Sequence, residues 1–335
     1  MKSRTKNLLT DQEIKNLVKI NFKDSHQVTH IEELKGGMFN AIYLISRAGE
    51  KEKIVLKVGV IPGTPLLTYE RDIMPTEVAC YRMIKEKTSV PVPTVLAYDF
   101  SKKHIKSNYF FMTALTGTAL AKASRKMDKE NLEQIKRRLA EYLAQIHEIT
   151  GSYYGYFSQD PKQQYQTWKD AFFHMFGQLL QDARGHKVRI PYERIEKALK
   201  ANEKYLHDLA APSLVEYDCH DGNVFVKETE KGYQIEGILD FERAFWGDPL
   251  ADFPTAFVFV DDIRREKAFL ESYLKASRRT AYTQEDVKRY QLYRLYIAVI
   301  MAAETFRYGF VYSRLQGAWA KRQIKKCLKA LENKR

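Results

Sequence analysis

Three oxygen-bearing side chains within residues 214–252 are spaced in a way that suits phosphoryl transfer. Asp218 precedes Asn223 by five residues, and Asp240 ends a short apolar strand read at 235–239. Phosphoryl transfer asks little covalent chemistry of a protein. It needs a carboxylate to receive the proton of the acceptor hydroxyl, and oxygen ligands for the Mg²⁺ carried by the nucleotide phosphates. Asp218 suits the base, and Asn223 and Asp240 suit the metal, since Mg²⁺ takes few protein oxygens beside phosphates and waters. The run Asp218-Cys219-His220-Asp221-Gly222-Asn223 also fits a plain turn between hairpin strands, because Asp, Asn and Gly are turn residues. Asp240-Phe241-Glu242, placed directly after a strand, favours the chemical reading.

These residues resemble the signature of the aminoglycoside phosphotransferase and choline kinase superfamily, whose fold is protein-kinase-like. That signature runs roughly HGDxHxGN, a strand, IDWE, then WGDP. Here it is met by Asp218, His220, Gly222 and Asn223, by Leu239-Asp240-Phe241-Glu242, and by Trp246-Gly247-Asp248-Pro249, with Asp252 following. The resemblance implies Asp218 as base and Asn223 and Asp240 as metal ligands. One departure stands out: the family's first His is Glu216 here, and Tyr217 replaces the small residue after it. That His supports the loop and performs no chemistry, so the departure bears on how Asp218 is held.

Such a site needs a nucleotide-holding element ahead of it. Strands are predicted at 28–34, 41–46 and 54–60, with Lys35-Gly36-Gly37-Met38-Phe39-Asn40 between the first two. Adjacent glycines let backbone amides approach phosphates, although a hairpin turn uses them equally well. The pattern LxGGxxNxxY resembles the family's nucleotide loop, which makes Gly36, Gly37 and Asn40 nucleotide-binding candidates. Lys57, within the third strand, either snorkels outward or points into a cleft. By resemblance it holds the α- and β-phosphates. Its expected partner is Glu77, in the first turn of a helix predicted at 76–87 with Thr76 as cap, where the helix dipole also favours an acid. Glu70 is held in reserve, because the proline-bearing loop 61–75 leaves the register open. Strands at 94–100 and 109–114 run into Leu115-Thr116-Gly117, a hinge-like break, and Met112 to Ala114 are candidates for the nucleotide edge or an ordinary strand end.

The remainder reads as helices. The 129–149 stretch carries an apolar stripe through Leu132, Ile135, Leu139, Leu143 and Ile146, with His147 as a packed or capping residue. The aromatics of 151–190 read chiefly as packing, with a few free to line an acceptor pocket. A helix follows at 192–209. Beyond Asp248-Pro249, a cap and first-turn proline, Pro254 should bend or restart the chain. Amphipathic helices are expected at 262–277, 283–308 and 314–332, and at 9–20 near the start. Asp261, Asp262, Glu266 and Glu304 are the acids available to a cationic acceptor, or else solvated and capping acids.

The chain has 335 residues, 44% hydrophobic and 29% charged, enough for two lobes, with the nucleotide-binding lobe at 1–115 and the catalytic lobe at 116–335. No apolar run is long enough to span a membrane and the first residues make a poor secretory signal. Three widely separated cysteines argue for a reducing compartment and against a disulfide framework, so a cytoplasmic protein is expected. The net charge of +13 favours anionic partners such as nucleotides, yet the basic residues are scattered and no nucleic-acid module is recognisable. The expectation is an α+β, two-lobe, protein-kinase-like fold, with an antiparallel N-lobe sheet carrying one helix and a mostly helical C-lobe. The resemblance implies an ATP- or GTP-dependent, Mg²⁺-using phosphotransferase whose partners are a nucleoside triphosphate and a small hydroxylated acceptor. A nucleotide-binding scaffold without turnover is the alternative that Glu216 raises. A protein kinase fits less well: G-x-G-x-x-G and A-P-E are absent, and DFE stands for DFG. A sugar, an amino alcohol, a nucleoside or an antibiotic fits as acceptor, and the basic chain disfavours a polycation.

Overall fold

Alternation organises the first third of the chain. In a computed structural model, which describes residues 5–22, 27–35, 39–206 and 209–333, α1 (Asp11–Phe22) precedes β1 (Val28–Glu33), β2 (Ala41–Arg47) and β3 (Ile54–Val58). Then come α2 (Ile73–Lys87), β4 (Val95–Asp99) and β5 (Tyr109–Thr113). The five strands form one antiparallel sheet in the order β1-β2-β3-β5-β4. Successive strand residues face opposite sides. Ile54, Leu56 and Val58 therefore meet Ile14, Leu17 and Val18 of α1, while Val55 packs in the core shared with α2 and Lys57 turns toward the same helix. Every residue of β3 is buried as a result. The helix expected from Thr76 starts earlier, at Ile73, after Asp72 in a left-handed conformation. Pro75 falls in its first turn, where the missing N–H has no intrahelical partner to lose. Glu77 thus lies one turn in, not in the first turn.

After β5 the chain passes through β6 (Thr118–Ala119) and α3 (Leu120–Ala123) into α4 (Lys129–His147). Asp128 caps α4 by accepting the Asn131 N–H at 2.7 Å, and Ile135, Leu139, Leu143 and Ile146 are buried as the period predicts. The rest of this lobe comprises β7 (Gly155–Tyr156), α5 (Trp168–Gly185), α6 (Tyr192–Asn202), β8 (Ser213–Val215), β9 (Val224–Thr229), β10 (Gly232–Ile238) and β11 (Phe245–Gly247). It closes with α7 (Phe253–Ala256), α8 (Lys267–Ala276), α9 (Gln284–Ala303) and α10 (Phe310–Glu332). Two three-stranded sheets, β10-β9-β6 and β7-β11-β8, sit among these helices. Pro254 lies in the first turn of α7, a restart as expected.

Helix α9 differs from its amphipathic reading. From Tyr290 to Ala303 it is buried almost all round, making it the central helix of the lobe. Its Tyr293 hydroxyl accepts the Trp168 indole N–H at 2.8 Å, so the aromatics of α5 are chiefly core. The predicted 283–308 helix ends at Ala303, and α10 begins at Phe310, four residues ahead of the predicted 314. Among the described residues no helix is long and apolar enough to cross a membrane.

Candidate active site

The β9–β10 hairpin brings two of the sequence candidates together. Val224 pairs with Ile238 at its open end, and the Leu239 N–H donates to the Asn223 carbonyl at 2.9 Å. Asn223 and Asp240 therefore flank the same end of the hairpin. Asp240 adopts a left-handed conformation, φ 73°, which turns it out of the strand. Its N–H donates to the Tyr81 hydroxyl at 3.0 Å, and that hydroxyl donates to Glu77 Oε1 at 3.0 Å. Helix α2 and the hairpin are thus pinned to each other across the lobes.

Lys57 stands at the centre of this junction. Its Nζ lies 2.6 Å from Glu77, 2.7 Å from Asp240 and 3.1 Å from Glu242. Burial alone would favour the neutral amine, yet Asp240, Glu242 and Glu77 push its pKa well above the ordinary lysine value. Burial raises Glu77 to about 8 and, with repulsion from Asp240, Glu242 to about 7. Asp240 moves the other way, because the charge and hydrogen bond of Lys57 outweigh its desolvation. One ammonium faces three carboxylates whose nearest oxygens lie within 4.8 Å of one another. That cluster of carboxylate oxygens suits a cation.

The other nucleotide-side candidates divide. Asn40 is buried and donates from Nδ2 to Glu242 at 2.8 Å. Gly36 and Gly37 lie outside the described residues. Glu70, the reserve partner for Lys57, is committed to Arg307 through two bonds of 2.6 and 2.7 Å and does not reach the lysine. Met112 is an interior residue of β5, opposite Val55 and Val95. The Ala114 N–H donates to the Lys53 carbonyl at 3.2 Å, so that N–H is not open to a nucleotide edge. The following hinge is stapled to β10: the Thr116 hydroxyl and Gly117 N–H donate to the Glu236 carboxylate at 2.7 and 2.6 Å. A Cβ at Gly117 would run into that carboxylate and the Val226 carbonyl, which explains the glycine.

Asp218 sits on a loop held from beneath by buried acids. Its N–H donates to Glu216 Oε2 at 2.9 Å. The Glu216 and Tyr217 N–H groups donate to the fully buried Asp252 at 3.1 and 2.5 Å, and His147 Nε2 approaches the same carboxylate at 2.8 Å. His147 is thus the packed histidine that its position on the α4 stripe predicts. Asn223 Nδ2 donates to the Asp218 carbonyl at 3.0 Å, which fixes the side chain and leaves Oδ1 as its outward oxygen. Enclosure by the protein raises the Asp218 carboxyl to about 7, opposed by Arg243 and reinforced by Asp240.

Arg243 and Tyr81 escaped the sequence reading as site residues, and Glu242 was read only as part of the motif, with no role assigned. Arg243 Nε lies 3.7 Å from Asp218, its Nη2 donates to Glu304 at 2.8 Å, and its guanidinium lies over the Tyr69 ring. An arginine within the apolar run FERAFWG was the available signal. The acids available to a cationic acceptor are all paired. Asp261 meets Arg294 and Lys326, Asp262 meets Arg264, Glu266 meets Lys136 and Glu304 meets Arg243.

The phosphotransferase enzyme family matches residues 30–288. A search of curated proteins finds no match. Among solved structures, a thermostable mutant of the aminoglycoside phosphotransferase APH(4)-Ia is 18% identical, with TM-score 0.64 over 95% of this chain and 99% of that one. The same enzyme has been solved in a ternary complex with AMP-PNP and hygromycin B. A fructosamine-3-kinase candidate from Haemophilus somnus 129PT is 17% identical, with TM-score 0.64 over 96% and 97% of the chains. An aminoglycoside phosphotransferase candidate from Ralstonia eutropha JMP134 is 13% identical, with TM-score 0.67 over 96% and 98%.

Proposed function

The chain belongs to the phosphotransferase enzyme family, and from that premise we propose that it transfers the terminal phosphoryl group of ATP or GTP to a hydroxyl of a small molecule. The observation that carries this reading is the single ammonium of Lys57, held by Glu77 of α2 and by Asp240 beyond the hairpin. A lysine fixed in this way presents its charge to phosphates that enter the cleft. Residues 1–115 then form the nucleotide lobe and 116–335 the catalytic lobe. The three free, buried cysteines suit a cytoplasmic location.

The donor set fits Mg²⁺. Asn223 Oδ1 is left outward by the bond from Nδ2, and Asp240 retains a carboxylate oxygen beyond the one that Lys57 takes. Both are hard oxygen ligands, and the ion, when bound, neutralises phosphate charge. The chain's own residues do the rest. Asp218 orients the acceptor hydroxyl and takes its proton as that oxygen bonds to the γ-phosphorus and the bond to the leaving diphosphate breaks. Arg243, beside Asp218, opposes the rise in its pKa and so favours the ionised base.

The test is ADP or GDP release from the Mg²⁺ nucleotide against a panel of hydroxylated small molecules, with Asp218→Asn as control. Acceptor-dependent release that the control lacks supports the proposal. Nucleotide binding without turnover supports a scaffold instead, and absence of nucleotide binding overturns both.

A further inference from the structure

Resting on the phosphotransferase reading, we propose that Glu304 is a positioning residue for the base: it holds the Arg243 guanidinium at Asp218 and is itself held by Tyr69 of the nucleotide lobe. Local chemistry gives no reason for an acid at this position. Glu304 closes the C-terminal end of α9, where the helix dipole disfavours a negative charge. It is only 5% exposed, and a buried carboxylate is costly unless it is bonded. Three donors offset that cost. Arg243 Nη2 and the Tyr69 hydroxyl donate to Oε1 at 2.8 and 2.5 Å, and the Tyr308 hydroxyl donates to Oε2 at 3.2 Å. Residues that break a local rule and are compensated elsewhere concentrate at functional sites.

What Glu304 holds faces the base. Arg243 ends the tight turn Phe241–Arg243 that follows Asp240. Its neighbour Glu242 goes to Lys57, 3.1 Å away, while its own Nε stands 3.7 Å from Asp218 Oδ2. That separation is too long for a hydrogen bond, so the pair shares an attraction of charge that sets no direction by itself. The direction comes from the other end of the planar guanidinium, where the bond from Nη2 to Glu304 fixes how the fork is turned. Among the described residues that bond is the one hydrogen bond the Arg243 side chain makes.

Tyr69 completes the support from the other lobe. Its ring faces the guanidinium, with 5.6 Å from Cζ to the ring centroid. It is also the middle one of three consecutive residues that bond the catalytic lobe. Thr68 donates from its N–H and its hydroxyl to Asp182 of α5 at 2.6 and 3.0 Å, and Glu70 accepts two bonds from Arg307. The same segment leads into α2, which carries Glu77. The lobe that meets the nucleotide through Lys57 therefore reaches the base by a second route, from Tyr69 through Glu304 to Arg243.

The experiment measures kcat and KM for ADP release from Mg-ATP, with the acceptor panel and with water as acceptor, beside Mg-ATP binding and thermal unfolding. Glu304→Ala should lower kcat about a hundredfold, the loss expected when a reacting geometry is misplaced. KM and affinity for Mg-ATP should hold, because Lys57 keeps its bonds to Glu77 and Asp240. Glu304→Gln, which keeps an oxygen for Arg243 and Tyr69, should lose less, as should Tyr69→Phe, which keeps the ring. The decisive result is non-additivity: in an Arg243→Gln background neither Glu304→Ala nor Tyr69→Phe should lower kcat further. Tyr69→Phe carries that cycle alone if Glu304→Ala does not fold. Losses that multiply overturn the proposal, since each residue then acts independently of the arginine. A raised acceptor KM with kcat retained overturns it by making Glu304 a contact to a cationic acceptor. Equal losses of kcat and Mg-ATP affinity overturn it by making Glu304 a support of the whole cleft. A wild type that binds Mg-ATP and releases no ADP to any acceptor or to water removes the phosphotransferase reading, and the inference falls with it.

Discussion

Glu216 Oε2 accepts the backbone N–H of Asp218 at 2.9 Å, while Glu216 Oε1 is buried without a hydrogen-bond partner. The family's loop-supporting histidine is therefore replaced by an acid that performs the support through one oxygen. Burial, and then repulsion from Asp252 and Asp218, holds Glu216 well above the usual carboxylate range, which favours its protonated form. A folded-state pKa raised above an unfolded value of about 4.3 contributes stability that is full below that value and is lost as pH rises through the folded one. Glu216→Gln keeps an acceptor and cannot ionise, so its stability advantage over wild type should grow as pH rises above about 4.3 in denaturant unfolding, with kcat nearly unchanged. Glu216→Ala leaves the Asp218 N–H unpaired and should cost about 1–3 kcal/mol.

As the proposed base, Asp218 must be ionised to take a proton, and burial raises its pKa to about 7. The rate should fall as pH drops through that value. Arg243 is the main influence opposing the rise, so Arg243→Gln should move the acidic limb of the pH–rate profile to higher pH. Asp218→Asn should lower kcat by about 10²–10⁴ with Mg-ATP affinity retained. Paired pH–rate and nucleotide-binding measurements check both, and an unmoved limb in Arg243→Gln would remove the arginine from this role.

The residues that flank the hairpin were legible because their spacing is local, whereas the pairing of β9 with β10 was not read. Asn223 and Asp240 need only the β9–β10 register to meet, whereas alternation along β3 left Lys57 outward or in the cleft and the resemblance chose the cleft. What stayed hidden depends on distant partners. Nothing near Glu70 in sequence announces that Arg307 will claim it, and nothing near Ala114 shows that its N–H belongs to Lys53. Thr76 was read as the cap with Pro75 left in the loop before it, yet a first-turn proline loses no bond and the helix starts at Ile73. Helix α9 misled for a related reason: its polar residues, Gln291 and Arg294, are buried by bonding the Asp261 carbonyl across the lobe.

Lys57→Met should be more damaging than loss of a phosphate contact alone. It leaves Glu77, Asp240 and Glu242 facing one another without their shared cation. Breaking a buried pair from one side costs about 3–5 kcal/mol, visible in thermal unfolding, and Mg-ATP binding should be lost. Glu77→Gln in the Lys57→Met background should restore part of the stability at alkaline pH, where Glu77 would otherwise ionise beside Asp240 and Glu242, while nucleotide affinity stays low. Recovery of both together would mean that the lysine serves the fold alone.

Asp252 should matter to turnover although it lies beneath the loop. Its two oxygens accept the N–H groups of Glu216 and Tyr217, and His147 approaches the same carboxylate. Tyr217 is held at φ 63°, a conformation that costs a non-glycine residue about 1–2 kcal/mol, and the bonds from Asp252 oppose relaxation of the very residue before Asp218. Asp252→Ala removes them, orphans two buried donors and deprives His147 of its acid, so stability should drop by about 3–5 kcal/mol. Asp252→Asn keeps an oxygen for one N–H and should lose less. The test of positioning as opposed to mere stability is made with Asp252→Asn at a temperature where it remains folded. There, kcat should fall while KM for Mg-ATP stays at the wild-type value, because Lys57 and its carboxylates are untouched. Equal losses in kcat and nucleotide affinity would instead mean that the whole cleft has loosened.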